Sequence, residues 1–184
     1  MTSMHNEYLL KISNVNKRFG GLQALNAVDI MVKKGQIVGL IGPNGAGKTT
    51  CFNVITGLYS ADTGNFLFQG KAYSPSAVDK VLRAGIARTF QNIRLFKEMS
   101  VIENIMVGRH ARTRSGLLGA IFQSPSTRLE EKQIKERAYE LLQYVGINES
   151  FAEFKAKNLS YGDQRRLEIA RALATDPALL ALDE

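Results

Sequence analysis

The stretch Gly42-Pro43-Asn44-Gly45-Ala46-Gly47-Lys48-Thr49 matches the pattern G-x-x-x-x-G-K-[ST], in which a glycine-rich turn precedes a helix. Glycines let the backbone curl tightly, so that its N–H groups converge on an anion without clashes from Cβ atoms. The N-terminus of the following helix adds a positive dipole end. The stretch therefore predicts a loop that binds phosphate groups.

Two side chains of this loop carry specific chemistry. The ammonium of Lys48 can contact the β and γ phosphates of a triphosphate, and the hydroxyl of Thr49 can bind Mg²⁺. The remaining residues contribute mainly backbone groups. The candidate nucleotide contacts in this region are Gly42, Pro43, Asn44, Gly45, Ala46, Gly47, Lys48, Thr49 and Thr50.

The residues that flank the loop support this interpretation. The apolar residues 36–41 are typical of a buried strand, and residues 49–56 are typical of a helix that ends at Gly57. This is the strand, loop and helix order that the motif requires. An incidental glycine-rich turn is the alternative, and the matching context disfavours it.

Composition limits the class of protein. A chain of 184 residues with 45% hydrophobic content can bury one α/β core. The net charge of +7 is compatible with nucleic acid, anionic lipid or an acidic protein partner, but the basic residues are scattered, which favours an ordinary solvated surface.

The single cysteine and the apolar pattern exclude other classes. Cys51 cannot form an internal disulfide or a multi-cysteine zinc site, and its place in the predicted helix favours a buried packing role. Residues 1–8 lack the apolar core of a signal peptide, and no stretch approaches the roughly 20 apolar residues that span a bilayer. Any membrane role is therefore expected to be peripheral.

The order of the predicted elements indicates an α/β fold. Strands are predicted at residues 8–13, 27–32, 65–68, 86–90 and 178–182. Capping boxes start helices near Ser100 and Thr127, and Ser160 caps a third helix. The second helix ends at Gly146 and presents one apolar face, made of Leu129, Ile134, Ala138, Leu141, Leu142 and Val145.

This order predicts a P-loop NTPase core with an N-terminal antiparallel β subdomain and an inserted α-helical subdomain. We expect residues 1–91 to form the ATP-binding core, residues 92–158 the helical subdomain, and residues 159–184 a return to the core. Residues 112–126, rich in Gly, Ser and Arg, are expected to form a loop or a short helix.

The final strand ends in two carboxylates that suit phosphoryl transfer. Asp183 can hold Mg²⁺ through its water shell, and Glu184 can orient an attacking water molecule. Phosphoryl transfer depends mostly on positioning and charge neutralisation, so these groups complement the loop. The alternative is a charged pair that merely ends a core strand.

Four elements now occur in an order that resembles the ATP-binding cassette ATPases. After the phosphate loop come Gln91 at the end of a strand, Leu159-Ser160-Tyr161-Gly162-Asp163-Gln164 at the place of the signature motif, and the strand that ends in Asp183-Glu184. The resemblance implies that Gln91 reaches the metal and the water. It also implies that Phe19 stacks on adenine, although Phe19 could instead be a core aromatic of the first hairpin.

The resemblance also implies site roles for the signature stretch. Ser160 and Gly162 at a helix N-terminus form a second anion site, which in this family covers the ATP of a second ATPase subunit. The usual motif has Gly at the position of Tyr161 and Gln at the position of Asp163. The implied catalytic residues are Glu184, Gln91 and Lys48, and the implied metal-binding residues are Thr49, Gln91 and Asp183.

Residues 87–96, 108–112 and 159–171 resemble ATPases of branched-chain amino-acid importers. That likeness implies an ATP-hydrolysing importer subunit with bound ATP and Mg²⁺, on the cytoplasmic face of the plasma membrane. Its implied partners are a second ATPase subunit, two integral membrane permease subunits and, indirectly, a periplasmic or extracellular substrate-binding protein.

A nucleic-acid- or ribosome-associated ATPase of the same family is the alternative. The sequence shows no zinc cysteine cluster, no long coiled-coil insertion and no tandem second cassette, so no nucleic-acid partner is expected. The resemblance further places a switch histidine after the final strand, whereas His5 and His110 both precede it. We therefore expect a C-terminally truncated chain that hydrolyses ATP poorly by itself.

Overall fold

The computed structural model describes residues 8–110 and 125–183. The chain forms two compact units, Met1–Ala84 and Gly85–Glu184. The boundary near residue 85 differs from the three-part division at 91 and 158, which stays a prediction. No helix in the described residues has both the length and the apolar character needed to cross a bilayer.

The first unit contains four strands and two helices in its described part. Its elements are β1 (Tyr8–Phe19), β2 (Leu22–Lys33), α1 (Lys48–Ile55), β3 (Thr63–Phe68), β4 (Lys71–Ala72) and α2 (Val78–Ala84). The strands form one antiparallel sheet in the order β2-β1-β3-β4. This confirms the antiparallel β subdomain, whereas sequence analysis missed α2.

Strand β1 lies inside this sheet because it pairs with β2 on one edge and with β3 on the other. Leu10 and Ile12 are buried, and Ile12 pairs with Ile30 of β2 on one side and Phe66 of β3 on the other. The register shifts after Ile12, and Asn14 takes a left-handed φ of 52°. Such a bulge bends the strand and re-aims the side chains that follow it.

The strand predicted at residues 36–41 is absent. This segment has no ladder partner among the described residues, and Ile37 and Ile41 are 98% and 92% exposed. An apolar segment becomes a buried strand only when a neighbouring strand supplies hydrogen bonds and other side chains cover it. The segment therefore leads into the phosphate loop as irregular, exposed chain.

The second unit has mostly helical described elements. They are β5 (Ile86–Arg88), α3 (Val101–His110), α4 (Pro125–Tyr144), two short 3₁₀ turns (Glu149–Phe151 and Ala156–Asn158), α5 (Tyr161–Leu173) and β6 (Leu179–Ala181). Strands β5 and β6 pair in parallel, with Ile86 opposite Leu179. The predicted loop at residues 112–126 lies almost entirely outside the described residues.

Helices α3, α4 and α5 enclose an apolar core. The capping box at the start of α3 is confirmed, because Ser100 N–H donates to Glu103 Oε2 (2.7 Å) and Glu103 N–H donates to Ser100 Oγ (3.2 Å). The assignment of Leu129 to the buried face is wrong, since this side chain is 59% exposed near the start of α4. The confirmed core positions on α4 are Ile134, Ala138, Leu141 and Leu142.

Candidate functional site

The phosphate loop owes its shape to two of its three glycines. Gly45 and Gly47 have φ angles of 83° and 86°, which other residues rarely adopt, whereas Gly42 lies outside this range. A Cβ at Gly47 would also lie only 2.4 Å from the Ala24 carbonyl oxygen. Gly47 is therefore required both by its own conformation and by the close approach of β2.

The first turn of α1 leaves donors available to an anion. The helical hydrogen bonds begin where Cys51 N–H donates to Gly47 O (2.8 Å). The N–H groups of Lys48, Thr49 and Thr50 precede this bond and have no backbone acceptor within the described residues. Three such donors at a helix N-terminus suit a phosphate group.

The Lys48 side chain folds back over its own loop. Its ammonium donates to the carbonyl oxygens of Gly42 (2.7 Å) and Pro43 (2.8 Å). Hydrogen bonds between two ionised groups are stronger than bonds from an ammonium to neutral carbonyls. A triphosphate in the loop can therefore replace these two bonds with better ones, so the arrangement fits the predicted nucleotide.

The Phe19 ring lies at the end of β1 and is not a buried core residue. It is 42% exposed, and its ring packs edge-to-face against Tyr59 at 5.3 Å between centroids. The Lys17 ammonium lies 5.4 Å from the same ring. The exposed ring area is compatible with stacking on a planar ligand.

The carboxylate of Asp183 lies in a small polar cluster of the second unit. Arg88 Nη2 donates to Asp183 Oδ2 (2.5 Å), and Asp183 N–H donates to Thr89 Oγ1 (3.3 Å). Because β5 and β6 run in parallel, residues just beyond their carboxyl ends meet at one edge of the pair. The sequence identifies Asp183 as a candidate site residue but does not identify Arg88 as its partner. A single arginine before the Thr89-Phe90-Gln91 segment belongs to no motif that would indicate this role. Glu184 lies outside the described residues.

Gln91 follows β5 at the same edge. Its backbone carbonyl accepts a hydrogen bond from Arg165 Nη2 of helix α5 (2.9 Å). The neighbouring Phe90 carbonyl accepts from Arg165 Nη1 (2.8 Å). The structure thus connects the Gln91 segment to the helix that Ser160 caps, a connection that the sequence did not reveal.

The signature stretch forms a capped helix N-terminus despite its unusual residues. Ser160 Oγ accepts from Asp163 N–H (3.2 Å) and donates to Asp163 Oδ2 (2.7 Å). Tyr161 is 69% exposed, so its ring does not fill the turn. A Cβ at Gly162 would meet nothing closer than Ser160 Oγ at 4.0 Å. The turn therefore has free space at Gly162, while the Ser160 hydroxyl already donates to the Asp163 carboxylate.

The described residues contain no cluster of three or more His, Cys, Asp or Glu side chains able to hold a metal ion. A magnesium ion that accompanies a nucleotide does not need one. Mg²⁺ is usually held by one or two carboxylates, a hydroxyl and the substrate phosphates, and it keeps several waters. Thr49 carries a hydroxyl and Asp183 carries a carboxylate, and their role as metal ligands stays a prediction.

Cys51 lies on helix α1, and its side chain is buried, as the sequence context predicts. Burial raises the pKa of its thiol from the ordinary value of 9.0 to about 11. The folded protein thus favours the neutral thiol over the thiolate. The raised pKa adds to the free energy of unfolding. This contribution is fully present below pH 9 and is lost as the pH rises towards 11.

We expect the free energy of unfolding to fall by roughly 2 kcal/mol more in the parent chain than in Cys51→Ala between pH 8.5 and 11. The reason is that the unfolded thiol ionises before the buried one. Urea titrations at several pH values measure the difference. Parallel pH dependences of the two proteins would contradict a buried, neutral thiol.

The model of the ABC transporter family matches residues 25–184, which include the phosphate loop, Gln91, the signature stretch and the final strand. The chain belongs to the ABC transporter family. Membership of this family makes it a nucleotide-binding and ATP-hydrolysing protein with a P-loop NTPase fold.

Curated members of the family include two similar transport proteins. They are the high-affinity branched-chain amino acid transport ATP-binding proteins BraF of Pseudomonas aeruginosa and LivG of Escherichia coli K12, each 44% identical over 176 residues. The alignments cover 96% of this chain and 69% of each relative. This ABC family member thus spans about two thirds of the length of these relatives.

Solved ABC cassettes share the fold. The ADP conformation of an ATP-binding cassette of an ABC transporter is 36% identical, with a TM-score of 0.77 over 94% of this chain and 67% of that chain. A dimeric bacterial ABC transporter cassette is 28% identical, with a TM-score of 0.76 over 94% of this chain and 72% of that chain. Both agree with the predicted fold class.

Proposed function

We propose that the chain is the ATP-binding and ATP-hydrolysing subunit of an importer for branched-chain amino acids. The observation that carries this proposal is the 44% identity, over 96% of the chain, to ATP-binding proteins of branched-chain amino acid transport. The relatives' names concern transport, and none of these comparisons favours nucleic acid as a partner.

In this proposal the first unit binds the nucleotide. The backbone N–H groups of Lys48, Thr49 and Thr50 surround the phosphates, the Lys48 ammonium moves from its two carbonyl partners to the β and γ phosphates, and Phe19 stacks on adenine. The loop conformation already has the required positive φ angles, so little reorganisation is needed. Such preorganisation lowers the cost of binding.

The second unit supplies the groups for hydrolysis. Gln91 and Glu184 orient the attacking water, and Asp183 supplies a metal ligand. Thr49, which belongs to the first unit, supplies the other metal ligand. Mg²⁺, when bound, neutralises charge that develops on the transferred phosphoryl group. The ion pair to Arg88 holds the Asp183 carboxylate in one orientation, because both side chains are nearly buried.

We further propose that two ATPase subunits act together. The capped turn at Ser160 and the open space at Gly162 present an anion site, and a related cassette has a dimeric structure. Each signature turn would then contact the nucleotide of the other subunit. Two integral permease subunits and a periplasmic or extracellular binding protein complete the importer, with the ATPases on the cytoplasmic face of the membrane.

Recovery from membranes tests this function. The affinity-tagged intact protein, solubilised with detergent from its native membranes, is expected to retain two multispanning proteins, which mass spectrometry identifies. A strain that lacks the gene should lose uptake of labelled leucine, and the intact gene should restore it. Recovery with RNA or DNA in place of membrane proteins, or unchanged leucine uptake, would overturn the proposal.

A further inference from the structure

Glu168 is a carboxylate in an unusual place. It lies on α5 with only 1% of its surface exposed, between Leu167 and Ala170, which are completely buried. A buried charge is costly unless several hydrogen bonds or an opposite charge compensate it. Its partners therefore indicate what the residue does.

The partners of Glu168 are backbone groups of the segment that contains Gln91. Its Oε1 accepts from Phe90 N–H (3.4 Å) and Arg94 N–H (3.3 Å), on either side of Gln91. Its Oε2 lies 3.5 Å from Arg165 Nη1. The carboxylate therefore holds both ends of a short segment and also orients an arginine.

Arg165 holds the same segment through its carbonyl oxygens. It donates to Phe90 O and to Gln91 O, at 2.8 and 2.9 Å. The planar guanidinium can serve both acceptors at once, which a lysine ammonium does less well. Together, Arg165 and Glu168 bind donors and acceptors of residues 90–94; we call this set of contacts the α5 clamp.

Helix α5 carries the clamp and the signature turn on one rigid element. Arg165 lies five residues after Ser160, which is about 7.5 Å along the helix axis at about 1.5 Å per residue. A displacement of the signature turn therefore moves the clamp with it. The Gln91 backbone must follow unless these hydrogen bonds break.

We propose that Arg165 and Glu168 are positioning residues that fix Gln91 relative to the signature helix, so that the two elements move as one body during ATP hydrolysis. This inference rests on the site roles proposed above for Gln91 and Ser160. Neither positioning residue belongs to the nucleotide contacts proposed above. They act through the backbone of residues 90–94.

Hydrogen–deuterium exchange of the intact protein tests the clamp itself. In Glu168→Gln, the amide oxygen can still accept from the Phe90 and Arg94 N–H groups, but without the negative charge that strengthened these bonds. The NH2 group also faces Arg165 with a donor where the carboxylate offered an acceptor, so both contacts weaken. We expect the Phe90 and Arg94 amides to exchange at least 10-fold faster in this variant. Arg166→Lys is the matched control, because Arg166 lies on the same helix but donates to Gly146 O and Asp163. Unchanged exchange in Glu168→Gln would overturn the clamp.

ATP hydrolysis by the intact protein tests the positioning role. We expect kcat to fall about 10-fold in Glu168→Gln and in Arg165→Lys, with ATP affinity unchanged, because the phosphate loop contributes no group to the clamp. In the double variant Arg165→Lys/Glu168→Gln, kcat should fall no further than in either single variant. If Glu168→Gln fails to fold, Arg165→Lys still tests the proposal, since its side chain is 21% exposed.

A double-mutant cycle that combines Gln91→Ala with Arg165→Lys distinguishes an effect on the position of Gln91 from a general loss of stability. If the clamp acts through Gln91, adding Arg165→Lys to Gln91→Ala lowers kcat little further. Independent, additive losses, or a loss of ATP affinity that parallels kcat, would overturn the proposal. A parent protein that hydrolyses no ATP would contradict the proposed function instead, while the exchange experiment would still decide whether the clamp exists.

Discussion

Lys48→Ala is expected to lower kcat/KM for ATP hydrolysis by about 100- to 1,000-fold in the intact protein. The lysine provides the only side-chain ammonium of residues 42–50, and its present partners are two carbonyl groups that a phosphate can replace. Its removal leaves the negative charge of the triphosphate without this partner. Steady-state phosphate release measures hydrolysis, and equilibrium binding of labelled ATP measures affinity.

The control for this substitution is Lys34→Ala. Lys34 lies in the exposed turn after β2 and outside the phosphate loop, so its loss removes the same charge without the same contact. We expect Lys34→Ala to keep parental activity. The thermal midpoint of Lys48→Ala should also stay close to the parent, because the Gly42 and Pro43 carbonyls that it frees are exposed to water. Parental hydrolysis by Lys48→Ala would contradict the site assignment.

Gly108→Ala is expected to destabilise the protein by about 3 kcal/mol, although alanine favours helices. In an open helix position, this change stabilises by up to about 1 kcal/mol. Here a Cβ would lie 2.2 Å from Arg171 O and 3.1 Å from Ala174 Cβ, so helices α3 and α5 would have to separate. Overpacking of this kind typically costs about 1–3 kcal/mol, and a backbone oxygen yields less than a side chain.

Urea denaturation of the intact protein, followed by circular dichroism at helical wavelengths, measures this effect. The matched control is Gly21→Ala, since a Cβ there would meet nothing within 4 Å and the residue has no left-handed φ. We expect the control to change stability by less than about 0.5 kcal/mol. A Gly108→Ala protein as stable as the parent would show that α3 and α5 do not approach this closely.

Features that depend on neighbouring residues in the chain could be predicted from the sequence. The glycine spacing around Lys48 predicts the loop, and the structure has the expected positive φ angles at Gly45 and Gly47. The Ser100 and Glu103 pair predicts a capping box, which both hydrogen bonds confirm. Each of these features is built from residues within one turn of each other, so local geometry alone decides it.

Burial was predicted less reliably, because it depends on which other elements of the fold pack against a residue. Residues 36–41 have the composition of a core strand, yet Ile37 and Ile41 are almost fully exposed, since no described strand pairs with them. Leu129 fits the apolar periodicity of α4, but among the described side chains of this helix the first buried apolar position is Ile134. Periodicity identifies a face but does not say how far along the helix that face is covered.

The sequence by itself determined the phosphate loop, the nature and order of most elements, and the resemblance to ABC ATPases. Only the tertiary structure decided that Arg88 pairs with Asp183 and that Arg165 and Glu168 bind the segment around Gln91. These partners are 74 to 95 residues apart in the chain. No local pattern encodes such pairs, because the energy of a buried charge depends on which groups the fold places around it.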